Sequence, residues 1–213
     1  MNLNGIFNPQ NRFWSFMEKI MNLCVLGFLW LIFSIPLVTA GAATVALYQY
    51  TLRLSRNEEG YVWRTFIQGF RSNFLQATAL WLIMAAAGAF LILDLYGCQY
   101  LPGPSGVKWA MRVLLTSLLL VYVLASLYIF PLVAFFRTTV RKALVHSFVM
   151  AVGNLYVSVT VLVIYAIGGI AAYFMPMLFM VWFSLASYGV SCLLGPVFRR
   201  YVEDVQSVSR ERD

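Results

Sequence analysis

The residues able to do chemistry are few and scattered. One histidine and three cysteines occur in 213 residues, and no spacing among them builds a site. His146 follows Arg141 and Lys142, the surroundings of a wet interface rather than of a metal ion. Cys24, Cys98 and Cys192 stand alone in or beside apolar stretches, so they read as small packing residues and not as a disulfide framework or ligand set. No HExxH, GxSxG or P-loop sequence is present, and Gly168-Gly169 is more simply a helix contact or bend. Catalysis requires positioned acids, bases or nucleophiles, and the eight acidic residues all lie at or beyond the ends of apolar stretches, Asp94 closing one of them. No enzyme is expected, and no metal or cofactor. Ion-coupled carriers place an acid or base deep in the membrane, which argues against proton coupling as well.

The polar side chains inside apolar stretches are amides and hydroxyls: Asn22, Thr39, Thr44, Gln49, Gln76, Thr78 and Thr160. They fit two roles, lining a path for a hydroxyl-rich solute or joining helices at about 0.6 kcal/mol apiece. The second is the plainer.

The elements that must position these groups are membrane spans. The chain is 62% hydrophobic and 11% charged, against about 25% charged in soluble domains. It reads as an all-α, polytopic transmembrane helical bundle. Segments free of Asp, Glu, Lys and Arg run over 20–52, 72–93, 113–136 and 143–198, and a span takes about 20 residues. The last is too long for one span, and Tyr173-Phe-Met-Pro176 supplies a turn within it. Five spans follow, near 20–52, 73–95, 113–135, 154–173 and 177–197. An N-terminal interfacial segment (1–19), which has neither the apolar core nor the cleavage site of a removable signal, precedes the transmembrane domain (20–198). A charged tail (199–213) follows it.

The first span is overlong, and Pro36 is its hinge. Proline lacks a backbone donor and disfavours helix in the residue before it, so a kink or break is expected there. Eleven basic residues fall in the segments after the first and third spans and in the tail, which makes that side cytoplasmic if spans two to five alternate. The net charge of +7 therefore reports topology and not nucleic-acid binding. Five spans place Arg12 and Lys19 on the opposite side, mildly against the rule. A reversal at Pro36 would return them to the basic side with six crossings; the five-span reading is preferred.

Residues 56–74, RNEEGYVWRTFIQGFRSNF, concentrate charge and aromatic rings. Trp63, Phe66, Ile67, Phe70 and Phe74 share one helical stripe, with Arg64, Gln68 and Arg71 on the other. The spacing predicts an amphipathic helix over 62–73 lying in the headgroup plane, its rings buried and its guanidinium groups reaching phosphates. Glu58 and Glu59 precede it, where the helix dipole favours negative charge. Arg64, Gln68 and Arg71 are the candidate docking surface for a cytoplasmic partner. Gly41, Ala42 and Ala46, with Ala85 and Ala89, are candidate packing faces, because small residues let helices approach closely in lipid.

Trp14, Pro36-Leu-Val-Thr39-Ala-Gly41, Ala46-Leu47-Tyr48 and Glu59-Gly60-Tyr61, followed by Phe66, Phe70, Asn73 and Phe74, resemble the YesL-like family of small bacterial membrane proteins, whose domain has no assigned function. The resemblance is dense over 10–85. Members are often encoded beside carbohydrate ABC importers and polysaccharide-degrading enzymes. It implies a non-enzymatic accessory or regulatory role in carbohydrate uptake, in the cytoplasmic membrane, with ABC sugar-importer subunits as partners. A stand-alone facilitator or channel for small solutes, a lipid-facing scaffold and a homo-oligomer stay open. The sequence also carries a faint echo: Pro36-Leu-Val recurs at Pro131, and FRSNFLQATALWLI (70–83) resembles AVGNLYVSVTVLVI (151–164).

Overall fold

Pro36 has no N–H to continue a helix, and in the computed structural model helix α1 (Arg12–Ser34) stops two residues before it. Residues 12–58, 60–98, 100, 105–136, 139–174 and 176–210 are described. A 3-10 turn at Leu37–Thr39 follows the proline, and α2 (Ala40–Ser55) resumes behind it. The Thr39 hydroxyl donates to the carbonyls of Phe33 (2.6 Å) and Pro36 (2.8 Å), which satisfies acceptors left open where α1 ends.

The break is a reversal, not a kink. Near the turn Trp30 Nε1 donates to Thr44 Oγ1 at 3.1 Å, and far from it Lys19 Nζ donates to Asn57 Oδ1 at 2.9 Å. α1 and α2 are therefore antiparallel, and the start of α1 lies at the same end of the bundle as the loop after α2. The preferred expectation of one broken span over 20–52, with its two ends on opposite sides, gives way to this hairpin. α2 is only about 24 Å long, shorter than a hydrocarbon core of about 30 Å. It fits because it is enclosed by protein, with Ala42, Ala43, Ala46 and Leu47 fully buried.

The remaining elements are α3 (Val62–Gly97), α4 (Ser105–Phe135), α5 (Val140–Gly153), α6 (Leu155–Phe174) and α7 (Pro176–Arg210). Among the described residues every regular element is helical. Four helices are long and apolar enough to cross a membrane, and a fifth span is counted when α5 and α6 are taken as one bent unit. Phe28, Leu82, Phe90, Leu114, Val163 and Ile167 are exposed on them, the apolar exterior that lipid requires. The multi-pass helical bundle expected from the sequence is present, and the turn foreseen at 173–176 is where α6 gives way to α7.

Residues 62–73 are not a separate interfacial helix. They are the first three turns of α3, which runs unbroken for 36 residues, about 54 Å. Their ring stripe faces protein: Phe66 is fully buried, and the Phe33 ring meets Phe66 and Phe70 edge-on at 5.5 and 5.0 Å. Only Trp63 of that stripe points outward, 60% exposed. The helix that lies across the others is α5, bent 99° from α6 at Asn154. It buries Ala143, Ser147, Met150 and Ala151 and exposes Arg141, Lys142, Val145 and Phe148.

The small residues divide. Gly41, Ala42 and Ala46 are buried inside the bundle, where a Cβ on Gly41 would meet Trp81 Cβ at 2.5 Å and the Ala77 carbonyl at 2.7 Å. They join α2 to α3 and offer nothing to a second protein. Ala85 and Ala89 are exposed on the outer face of α3. Gly168 receives the Trp182 indole of α7, so the helix-contact reading of Gly168-Gly169 holds for the first glycine; nothing lies within 4 Å of a Cβ on the second.

A buried polar seam ties the hairpin to α6 and α7. Tyr48 and Tyr165 bond hydroxyl to hydroxyl, Tyr165 reaches Ser187 Oγ at 3.5 Å, and Thr51 Oγ1 meets Ser191 Oγ at 2.8 Å. Ser158 on α6 donates to the Tyr128 hydroxyl of α4 at 3.0 Å. Burying a hydroxyl in an apolar medium is costly unless it is paired, so these pairs fix the register of helices whose remaining contacts are interchangeable apolar surfaces.

Candidate functional site

One end of the bundle is basic and indented. Rings of Phe135 and Phe136 meet Phe198 there at 5.2 and 5.8 Å, so the end of α4 and the Phe198 turn of α7 lie together with the start of α1, the α2–α3 loop and the start of α5. Lys19, Arg53, Arg56, Arg64, Arg71, Arg141, Lys142 and Arg199 gather at this end, and Lys108 and Arg112 lie at the other. The reversal at Pro36 brings Lys19 to the basic side, which removes the one departure from charge asymmetry. Arg137 and Glu59 lie outside the described residues.

A cleft of about 880 Å³ opens at this end between α2, α3 and the α4–α5 junction. α2 contributes Gln49, Arg53 and, just after its last turn, Arg56, spaced four and three residues apart and so on one face. Thr65, Gly69, Ser72 and Gln76 of α3 follow the same periodicity, with Gln68 and Asn73 beside them. Ala134, Phe135, Thr139 and Val140 close the third side. Gly69 is needed here: a Cβ would run into the Gln49 amide oxygen and stand 3.3 Å from Ala46 Cα.

The electrostatics are uneven. Arg56 is engaged, its guanidinium over the Phe135 ring at 4.7 Å and 3.9 Å from Glu58. Glu58 thus pairs backward with Arg56 instead of standing free ahead of α3. Arg53 has no ion pair or hydrogen bond from its side chain among the described residues. The carboxamide of Asn73 is bonded to the Gly69 carbonyl at 3.2 Å and to Ser72 Oγ at 3.0 Å. Two cations, one carboxylate and four carboxamides give the cleft a polar lining with one net positive charge.

The cleft is blind. The next residues inward are Val45 and Ala42 on α2, Ala77 and Leu80 on α3, and Leu132 and Tyr128 on α4, all buried in one cluster. Of these six only Tyr128 has a polar side-chain atom, and its hydroxyl accepts from Ser158 of α6. Thr44 bonds the Ala40 carbonyl of its own helix at 2.8 Å, Thr160 bonds the Tyr156 carbonyl at 2.9 Å on the exterior, and the buried Thr78 hydroxyl has no partner among the described residues.

Of the proposed docking residues, Gln68 lines the cleft while Arg64 and Arg71 are exposed beside it. His146 is exposed on α5. Arg53, Arg56 and Ser72 were not singled out as site residues by sequence, and Asn73 entered only through the resemblance, although the polar stripes at 49, 53, 56 and at 65, 69, 72, 76 carried the signal.

Residues 23–95, from the middle of α1 nearly to the end of α3, match the family described as "Protein of unknown function, DUF624". Over these residues the chain is similar to that family. It is 27% identical over 153 residues to "Uncharacterized protein YesL" of Bacillus subtilis (strain 168), covering 70% of this chain and 69% of that protein. No solved structure matches. The matched region holds α2 and most of α3, and with them every cleft residue except the four from the α4–α5 junction.

Proposed function

We propose that this YesL-like chain is a non-enzymatic accessory or regulatory component of carbohydrate uptake of the ABC type, seated in the bacterial cytoplasmic membrane with its basic end and C-terminus in the cytoplasm. The observation that supports the non-transporting part is the closed floor of the cleft: one or two turns below its polar lining the same three helices pack Ala42, Val45, Ala77, Leu80, Tyr128 and Leu132 into one buried cluster. An open channel needs a continuous path, and an accessory subunit does not. Clustered arginines mark the cytoplasmic side of membrane proteins, and they support the orientation. The link to carbohydrate comes from the genomic company that YesL-like proteins keep.

In this account the partner's cytoplasmic surface meets Arg64, Gln68 and Arg71, and its membrane helices meet the exposed Ala85–Ala89 face. Affinity purification from native membrane in mild detergent, after crosslinking and with mass spectrometry, tests it. Stoichiometric recovery of an ABC permease or its ATPase is expected, weakened at unchanged insertion by Arg64→Glu with Arg71→Glu. Recovery of the protein alone after crosslinking contradicts the accessory role.

A further inference from the structure

We infer that the cleft at the basic end is a binding site for a phosphorylated polyol, a molecule carrying several hydroxyls and one phosphate ester. Its volume of about 880 Å³ falls within the roughly 300–1,000 Å³ of small-molecule sites. The inference goes beyond the accessory role and stands whether or not a transporter partner exists.

The polyol half follows from the amides. A sugar or glycerol hydroxyl both donates and accepts, and so does a carboxamide. Gln49, Gln68, Asn73 and Gln76 converge on the cleft from two helices, with Ser72 and Thr65 between them. Apolar ligands gain little from such walls, because polar lining atoms would be desolvated without a new hydrogen bond.

The phosphate half follows from the arginines. Arg56 is already occupied by Glu58 and by the Phe135 ring. Arg53, one turn inward on the same face, carries a charge that no described side chain neutralises. A guanidinium presents its donors in a planar fork that fits two phosphate oxygens at once. The lining therefore keeps one net positive charge, on Arg53, beside the neutral polar groups of α2 and α3, an arrangement in which a phosphate ester and its polyol would seat together.

Two sources offer this chemistry at a membrane surface: a soluble phosphosugar, and the glycerol phosphate headgroup of phosphatidylglycerol. Calorimetric titration of the purified full-length chain in neutral detergent with glucose 6-phosphate, glucose and inorganic phosphate covers the first. Nanodiscs of phosphatidylcholine with and without phosphatidylglycerol, scored by thermal stabilisation, cover the second. Saturable binding is expected in at least one arm. In that arm Arg53→Gln should weaken it by about tenfold, as expected for a lost charge-assisted bond, and Arg112→Gln, the same charge change at the far end, should leave it unaltered. Ser72→Leu, which fills the cleft and keeps every charge, should abolish it; unchanged elution on size exclusion checks that both cleft variants fold. Binding only in the first arm assigns the soluble source, and binding only in the second the lipid. Absence of saturable binding in both arms overturns the site, as does inorganic phosphate binding as tightly as glucose 6-phosphate, or equal effects of Arg53→Gln and Arg112→Gln.

Discussion

Lys19 Nζ donates to Asn57 Oδ1 across 2.9 Å, between residues 38 positions apart. Asn57 is held in the left-handed region at φ 55, the conformation that ends α2. Its N–H bonds the Leu54 carbonyl at 3.0 Å and the next N–H, of Glu58, bonds that of Arg53 at 3.1 Å, the double bond pattern of a Schellman cap. One residue thus terminates the returning helix and pins it to the start of the first.

This pairing fixes the topology. With the three native cysteines replaced by serine, Lys19→Cys and Asn57→Cys should be joined by a short bismaleimide, while Lys19→Cys and Arg112→Cys should not. The cap adds a thermal test: Asn57→Gly should be nearly neutral, and Asn57→Val should cost about 1–2 kcal/mol, because a β-branched residue resists positive φ.

Phe66 and Trp63 separate an inward ring stripe from a lipid-facing one. Phe66→Ala removes a fully buried ring packed on Phe33 and should destabilise by about 3 kcal/mol. Trp63→Ala alters an exposed ring and should stay within about 0.5 kcal/mol in detergent. Equal losses in thermal unfolding would return the stripe to the headgroup plane.

Close helix contact makes a second contrast. Gly41→Val drives carbon into Trp81 Cβ and the Ala77 carbonyl, with an expected cost of about 2–3 kcal/mol, the range for overpacking. Gly106→Val, where a Cβ meets nothing within 4 Å, should leave the midpoint of unfolding almost unmoved.

The Thr51–Ser191 pair tests the polar seam. A double-mutant cycle with Thr51→Val and Ser191→Ala should give a coupling of about 0.6 kcal/mol, and no more than about 1.7. Strict additivity would mean that the 2.8 Å contact contributes nothing.

The all-helical, multi-span character, the Pro36 break and the turn at 173–176 were legible because hydropathy and proline act locally. Whether the break was a kink or a reversal was not, since that depends on Lys19 meeting Asn57 and Trp30 meeting Thr44, contacts without a local signature. The ring stripe of α3 misled for a physical reason: in a membrane protein an apolar face looks the same whether lipid or protein covers it, so periodicity found the face and not its neighbour. α5 was unseen because residues 143–153 continue an uncharged run, and nothing in composition marks a 99° bend. Half of the cleft was foreseeable from the stripes on α2 and α3; the wall from Phe135 and Thr139 needed the fold. The echo pairs Asn73 with Asn154, and each bonds the carbonyl four residues back, Gly69 at 3.2 Å and Met150 at 3.4 Å. Yet α3 runs straight through the first and α5 ends at the second.

The central claim is that this bundle holds a polar cleft closed beneath by a buried, mainly apolar cluster and moves no solute alone. Purified protein reconstituted into liposomes and challenged with radiolabelled monosaccharides, disaccharides and glycerol tests it most directly. The account predicts uptake no faster than in empty vesicles. Saturable uptake by the protein alone, lost when Gln76→Leu seals the floor of the cleft, would contradict it and make the chain a facilitator.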